Sequence, residues 1–365
     1  MDTAHAATVQ KLKQNIYKFS GAKTYQQLAE MNSHLVDEKG KIRSFSAFKR
    51  KVGVVHKKYN QNYLQAEYQT AKRSAQAARQ WKGFEANKDL FPNLKYMTVG
   101  DDKVRHDHAR LHGIIKPVGH PFWDTHYPPN GWRCRCYAKP TSEGSTNQKI
   151  DIQPDKGFGL NVGKTNKMFD ENNHPYFTFP KKDAKSIKKA FEKFKLITSY
   201  GKARYVSKNG AKVFVHPFAD AADLPKNYIS AVKMADAGIS VKIRPDIDTN
   251  FIVGAKNPEY VINGVFADRV GLKNFNNLGS TIRDKKKQSI NKVINPNGKK
   301  YSIVFDLEEV NNPNLKELGI QLNRSINKDR GRSVKSIYVI HNNKVVELTR
   351  EDILKNDYSK LYKIQ

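Results

Sequence analysis

The chain has two cysteines, Cys134 and Cys136, one residue apart in the run Pro128-Pro129-Asn130-Gly131-Trp132-Arg133-Cys134-Arg135-Cys136. Five histidines, His106, His108, His112, His120 and His126, precede them closely. Thiolate and imidazole together are the ordinary zinc donor set. One expectation is therefore a structural zinc held by Cys134 and Cys136 with one or two of His108, His112 and His126, His108 and His126 being the leading pair. The single intervening residue is tighter than the usual two to four, so a second reading stays open. It is a Trp- and Pro-packed loop with two small buried thiols, hydrogen-bonded histidines, and Arg105 and Arg135 bracing carboxylates. A redox-active thiol pair is the third. No nucleophile–base pair suggests catalysis in this segment.

A second set of groups lies nearer the C-terminus. Cleaving RNA without metal needs a base for the 2′-OH proton, an acid for the leaving 5′ oxygen, and cations for the phosphorane charge. Near predicted strand ends the sequence offers His216, Lys242, Arg244, Glu259, Asp268, Arg269, Ser280, Thr281, Arg283, Arg324, Arg332 and His341. The leading catalytic set is Asp268 and Arg269 on a hairpin with Thr281 and Arg283 at a helix start, because a helix N-terminus bearing Ser or Thr seats phosphate. Lys242, Lys285, Lys286, Lys287 and Arg324 are the expected backbone-binding cations. Each has a plainer reading: Asp268–Arg269 as an ion pair, Ser280–Thr281 as an N-cap, His216 and His341 as strand-end and turn residues. A metal-dependent PD-(D/E)xK plan through Glu259 and Asp268 fails at Val270, where the lysine would sit.

The elements that must position these groups follow from periodicity. Residues 1–44 read as short polar helices broken by turns at Ser20-Gly21 and Glu38-Lys39-Gly40. Phe48, Val52, Val55 and Tyr59, then after a one-residue phase slip Leu64, Tyr68, Ala71, Ala75, Ala78 and Trp81, predict one long amphipathic helix over about 45–86. Leu94 to Val99 reads as a strand leading into the His/Cys segment, and 181–195 as a basic helix. Beyond 198 come hairpins around Asn209-Gly210, Asn263-Gly264 and Asn342-Asn343, strands at 240–244 and 302–306, and helices at 224–237 (closed by Gly238), 280–293 and 313–327. The expected organisation is an N-terminal helical segment at 1–44, a second domain at 45–180, a helical linker at 181–197 and a third domain at 198–365.

Composition narrows the function. Sixty-five Lys+Arg against 35 Asp+Glu give a formal charge of +30, which favours polyanionic partners, meaning DNA, RNA or anionic membrane. The excess falls on the long helix, the 181–195 helix and Lys285–Lys287. Eighteen Phe, 17 Tyr and 3 Trp suffice for packed cores. Two cysteines cannot make a disulfide framework. No run approaches a membrane span, and no signal-peptide pattern is expected at the N-terminus.

The run Thr98-Val99-Gly100-Asp101-Asp102-Lys103-Val104-Arg105, followed by His108-Ala109, Leu111, Gly113, Phe122-Trp123, Pro128-Pro129-Asn130-Gly131-Trp132 and Cys134-Arg135-Cys136, resembles the phage Mu F-like head morphogenesis family. The preceding helix (Glu67-Tyr68 to Trp81) and the Phe169, His174-Pro175-Tyr176-Phe177 element resemble it too, so the likeness covers about 40–180. His112 departs from the pattern, which more often has Asp before Gly113. The resemblance implies a minor head component with portal and capsid partners, located in the virion or in the host bacterial cytoplasm, and an N-terminal helical part shorter than usual for the family. The order of elements from Leu224 to Leu307 resembles the tRNA-nuclease toxin domain at the C-terminus of CdiA contact-dependent inhibition proteins, in the barnase/EndoU/colicin/RelE-like group.

The combined expectation is an α+β protein. A helical module with an irregular Cys/His/Trp-rich β segment precedes a small nuclease-like α+β domain with a central antiparallel sheet. Its function would be that of a phage or prophage head protein fused to an RNase-type toxin, with RNA as substrate, no cofactor required in the C-terminal domain, and an immunity protein as a further partner. The alternatives are a non-catalytic minor capsid protein whose basic C-terminal domain binds DNA or the portal, and a metal-dependent DNase.

Overall fold

The computed structural model describes residues 3–328 and 333–364; Arg332 lies outside the described residues. The chain divides into two compact units, residues 11–183 and residues 1–10 with 184–365. The fold is mixed α+β, with a helical N-terminal region and a large sheet in the C-terminal part.

Helix Thr3–Ser33, which enters the unit of residues 11–183 at Lys11, runs unbroken through Gly21, so the turn expected at Ser20-Gly21 does not form. A turn at Asp37–Gly40 does, with Asp37 Oδ1 accepting from the amides of Lys39 and Lys41. The next helix starts at Phe45, where the Ser44 side chain caps the Ala47 amide and satisfies one of the free donors of the first turn. The predicted long helix is Phe45–Lys57, a π-helical turn Lys58–Asn62, and helix Leu64–Ala86. The π turn falls where the expected stripe changes phase, but beyond it the buried face is not the expected one: Leu64, Tyr68 and Ala75 are exposed, and Ala66, Thr70, Ser74, Ala77, Ala78 and Trp81 turn inward. Ala77, Ala78 and Trp81 from this face pack with Leu94, Tyr96, Trp123, Tyr127, Phe158 and Phe169. A short antiparallel sheet, β1 (Asn93–Met97), β2 (Ile115–Pro117) and β3 (Tyr137–Thr141), in the order β2-β1-β3, carries Leu94 and Tyr96 into that core. Gly163 lies so close to Trp81 that an added Cβ would stand 2.1 Å from the Trp81 Cβ.

The second unit is built on eight strands in the order β11-β10-β9-β8-β7-β6-β5-β4. They are β4 (Tyr205–Val206), β5 (Lys212–Val215), β6 (Val241–Ile243), β7 (Tyr260–Ile262), β8 (Val265–Gly271), β9 (Tyr301–Asp306), β10 (Val334–His341) and β11 (Lys344–Thr349). The sheet is mixed rather than antiparallel throughout: β5–β6, β8–β9 and β9–β10 pair in parallel. Parallel neighbours need a crossover, and helices Leu224–Asp236, Leu278–Ser289 and Leu315–Lys328 supply the three. Helix Leu224–Asp236 packs on one face, with Val213, Val241, Tyr260, Ala267, Val304 and Tyr338. The other two pack on the opposite face, with Ile303, Phe305, Ile337 and Val339. Covered on both sides, β9 is buried along its whole length, the expected state for a central strand among parallel neighbours.

The hairpin turns follow their sequence signals in part. Asn263 and Gly264 both have positive φ, as do Asn342 and Asn343, the type I′ signature. Around Asn209-Gly210 only Gly210 does; there the Asn209 side chain instead accepts from the Ala211 amide. The basic helix spans Lys181–Ile197. From Ala184 onward it belongs to the second unit, where Phe191 and Phe194 meet Phe218 and Glu192 accepts from the Asp248 amide.

Candidate functional site

The His/Cys segment is shaped by a tight turn of backbone. After Gly131, whose Cβ position is filled by the Asp155 carboxylate and the Arg105 guanidinium, Arg133 takes a positive φ of 57° and the Cys134 amide turns back to the Gly131 carbonyl. Arg73, from helix Leu64–Ala86, clamps the turn by donating to the carbonyls of Arg133 (3.0 Å) and Cys134 (2.7 Å). The chain then enters β3, so both cysteines sit just before a strand. Facing them is the short helix His106–Arg110.

These elements bring His108, Cys134 and Cys136 together. His108 Nδ1 lies 3.5 Å from Cys134 Sγ and 3.4 Å from Cys136 Sγ. Their candidate ligand atoms all lie within 4.8 Å of one another. His108 and Cys134 are buried and Cys136 is half-buried. The hydrogen bond from the Cys136 thiol, with help from His108, pulls the Cys134 thiol down to about 4 against burial, while the same bond and burial push Cys136 up. Arg105 Nη2 stands 2.9 Å from His108 Nε2 and Arg105 Nη1 2.8 Å from Asp155 Oδ2. Asp101 grips Arg135 through both oxygens. A cleft of about 210 Å³ opens on these atoms, lined also by Lys103, Trp132, Arg133 and Arg135.

Two of the expected histidine ligands are elsewhere. His126 stacks on Phe122 at 4.8 Å and hydrogen-bonds the Ile152 carbonyl at 2.8 Å and Thr125 Oγ1 at 2.7 Å. His112 Nδ1 meets the amide and hydroxyl of Thr98. His126 is a buried packing residue, while His112 is exposed. The expected loop features are also present: Arg105 and Arg135 brace Asp155 and Asp101, and Trp132 packs on Phe158 and Phe169.

The expected nuclease residues are brought together only in part. Adjacent strand residues point to opposite faces, and β8 separates Asp268 from Arg269. Arg269 turns toward helix Leu224–Asp236, where it donates to Ser230 Oγ (2.7 Å) and pairs with Asp306 (2.9 Å). Despite burial, those contacts hold the Asp306 carboxyl below its ordinary range. Asp268 faces the other way and is fully buried, in ionic contact with Lys285 at 3.0 Å. Burial pushes its carboxyl up to about 6, against the pull of Lys285 and Arg244.

Strand register extends the Asp268 side into a row that the sequence did not single out. The pairing of β6, β7 and β8 aligns Arg244, Glu259 and Asp268, with His216 beyond Arg244 on β5. The neighbouring row is Phe214, Lys242, Val261 and Phe266. Arg244 is buried over the Phe266 ring at 4.1 Å and donates to the Pro258 carbonyl; burial lowers it to about 10. Lys242 is exposed and lies over Tyr200 and Phe214. Glu259 accepts the Arg269 amide. His216 accepts the Phe218 amide through Nδ1 and so donates through Nε2 to the Thr198 carbonyl. With burial lowering it to about 4, it is held neutral.

Asn277 occupies the N-cap position of helix Leu278–Ser289 without a side-chain capping hydrogen bond, and Ser280 and Thr281 lie inside the first turn and do not form the cap. Ser280 Oγ donates to the Asn277 carbonyl. Within the lysine run, Lys285 turns inward to Asp268, and Lys287 is exposed beside Asp284. Arg283 and Arg324 are exposed on their helices. His341 is a buried residue at the end of β10 rather than in the turn.

Residues 6–139 match the family described as "Phage Mu protein F like protein". A stretch of 75 residues is 40% identical to "Putative capsid assembly protein F" of Escherichia phage Mu, covering 20% of this chain and 17% of that protein. A stretch of 74 residues is 40% identical to the "Mu-like prophage FluMu F protein" of Haemophilus influenzae, again 20% of this chain and 17% of that one. The chain thus spans less than a fifth of the curated relatives it matches. No solved structure matches it. Among the described residues, no helix is long and apolar enough to cross a membrane.

Proposed function

We propose that the protein is a head-assembly component of a Mu-like phage or prophage, working with capsid and portal proteins, and that its C-terminal unit engages nucleic acid. The observation that carries the first part is the match of residues 6–139 to the Mu F-like family, together with the name of the phage Mu relative. In the C-terminal unit the support is the face of β5–β8 that bears exposed Lys242 over the Tyr200 and Phe214 rings. Cations interleaved with aromatic rings suit phosphate and unstacked bases. Exposed Arg283, Lys287 and Arg324 add to the surrounding positive potential.

The test of assembly is to express the full chain with the capsid and portal proteins of the phage that encodes it and to sediment the particles. Co-sedimentation with heads is expected; its absence from heads of normal composition refutes the reading. For the C-terminal unit, the full chain should bind tRNA with an affinity that falls steeply with salt, and Lys242→Ala should shallow that slope by about 0.7 on a log–log scale, the share of one single-strand phosphate contact. An unchanged slope refutes the role of Lys242.

A ribonuclease is the second reading. The Arg244–Glu259–Asp268 row favours it, because a carboxyl poised near 6 between two cations is the kind of group that moves protons at neutral pH. Full burial of Asp268 weighs toward an anchor for Lys285 and Arg244, which is why binding is placed first. Incubation of the same full chain with tRNA in EDTA separates the two: cleavage abolished by Glu259→Gln supports the nuclease, and intact tRNA supports binding alone. Cleavage of DNA, in place of tRNA, that appears only on adding Mg²⁺ would point to a metal-dependent DNase-type centre.

A further inference from the structure

We propose that His108 Nδ1, Cys134 Sγ and Cys136 Sγ form a zinc-class metal site with a fourth position facing the cleft. The inference stands apart from the head-assembly reading and from the C-terminal unit, since it uses only contacts within residues 11–183.

Distance is the first argument. With Zn–S near 2.3 Å and Zn–N near 2.0–2.1 Å, a tetrahedral ion places sulfur and nitrogen about 3.6 Å apart. The two Nδ1···Sγ separations are 3.5 and 3.4 Å. The donor chemistry is the second: two thiols and an imidazole are soft to borderline ligands that select zinc over magnesium or calcium. The third is how the tight Cys-Arg-Cys spacing is accommodated. The positive φ at Arg133 and the Arg73 clamp turn the backbone before the strand, so both sulfurs reach the same imidazole nitrogen. Intervening Arg135 points away to Asp101. The cleft lined by His108 and both cysteines leaves room for water or an external donor as fourth ligand. Three protein ligands with an open position are the arrangement of zinc centres that exchange a ligand.

Arg105 gives the site a chemical latch. A guanidinium only donates, so its contact to His108 Nε2 makes that nitrogen an acceptor and leaves the ring proton on Nδ1, facing the sulfurs. Metal binding at Nδ1 requires the opposite tautomer. The Nδ1 proton is lost to solvent and one is taken up from solvent at Nε2, so the ring stays neutral; any thiol proton is released, and Nε2–H then needs an acceptor. Asp155, now held by Arg105, is the nearby carboxylate that can serve, which is the usual partner of a metal-bound imidazole. Loading therefore opens the Arg105–His108 contact.

The experiment uses the full chain, purified reduced and loaded with zinc or with cobalt(II). The expected result is about one ion per chain. The cobalt form should show a thiolate-to-metal charge-transfer band and the intense visible bands of tetrahedral geometry. Cys134→Ser, Cys136→Ser and His108→Ala should each weaken binding at least tenfold, while His126→Ala leaves it unchanged. Arg105→Gln, which can accept from Nε2–H, should tighten it on the order of tenfold. Because the cobalt spectrum is read on the unmodified chain, a variant that fails to fold does not leave the idea untested. Substoichiometric metal, or an octahedral cobalt spectrum without the charge-transfer band, overturns the site. Binding that survives His108→Ala overturns the ligand set, and an Arg105→Gln affinity that is unchanged or weaker overturns the latch.

Discussion

Asp268→Asn should make the C-terminal unit's stability less sensitive to pH in one defined window. The Asp268 carboxyl is fully buried and raised from 3.8 to about 6 by that burial. Below pH 4 it is protonated in the folded and unfolded chain alike and costs nothing. Between about 4 and 6 the unfolded chain ionises while the folded one keeps its proton, so stability falls as pH rises. Above 6 both are ionised, and the folded state carries the full penalty of roughly 3 kcal/mol, two pKa units at about 1.4 kcal/mol each. Asparagine has no such proton. Loss of the Lys285 contact adds an offset but no slope. The difference in unfolding free energy between Asp268→Asn and the parent should therefore rise in favour of the variant by about 3 kcal/mol from pH 4 to pH 7. Urea unfolding followed by far-UV circular dichroism measures it. All three tryptophans lie in residues 11–183, so their fluorescence follows the other unit separately and serves as the internal control. A flat difference would show that Asp268 is not an ionising buried group. A difference of opposite sign would show that the Lys285 and Arg244 charges outweigh its desolvation.

Three further outcomes follow from packing and backbone geometry. Gly163→Ala drives a methyl into Trp81, which is fully buried, and should lower the unfolding free energy reported by tryptophan fluorescence by about 1–3 kcal/mol. Arg269→Met strands the buried Asp306 without its cation and should cost about 3–5 kcal/mol. Adding Asp306→Asn should recover much of that loss in the same urea assay, and failure to do so would remove the ion pair as the cause. Asn263 holds a φ of 49° in the β7–β8 turn. Asn263→Gly should thus be tolerated, and Asn263→Val should destabilise by about 1–2 kcal/mol, read as the thermal midpoint shift between the two variants.

How far the sequence discloses this molecule depends on whether the signal is local. Helix Leu64–Ala86 was legible from helical periodicity but its inner face was not: Leu64 and Tyr68 set the expected phase and are exposed, while Ala66, Thr70 and Ser74, too small or polar to signal burial, turn inward. Asn263-Gly264 and Asn342-Asn343 were legible because positive φ is written into those residue types. Helix Thr3–Ser33 was hidden because Gly21 in a polar stretch has the composition of a turn, while the residues it packs against, such as Phe169 against Phe19, are far along the chain. The parallel pairings of the sheet were hidden for the same reason: nothing local in β5, β8 or β9 names a partner across a helix.

The candidate sites divide along that line as well. His108, Cys134 and Cys136 could be named from type alone, but choosing His108 over His126 needed the packing of Phe122, which takes His126 out of reach. In the C-terminal unit, grouping Asp268 with Arg269 ignored a fact the sequence does contain, the period-two alternation of a strand. Alternation sends Arg269 to Ser230 and Asp306, where its charge is spent on a buried carboxylate, and leaves Asp268 with the residues that register places beside it, Glu259 and Arg244. It also divides the lysine run, since the helical residue that reaches Asp268 is Lys285 and not its neighbours. A chain of charge +30 offers cations everywhere; what marks a particular one is a buried carboxylate opposite it. That criterion selects Lys285 and Arg244 around Asp268 and Arg269 around Asp306; in the other unit Arg105 pairs with an exposed carboxylate, Asp155, and what marks it is instead its second contact, to the buried His108.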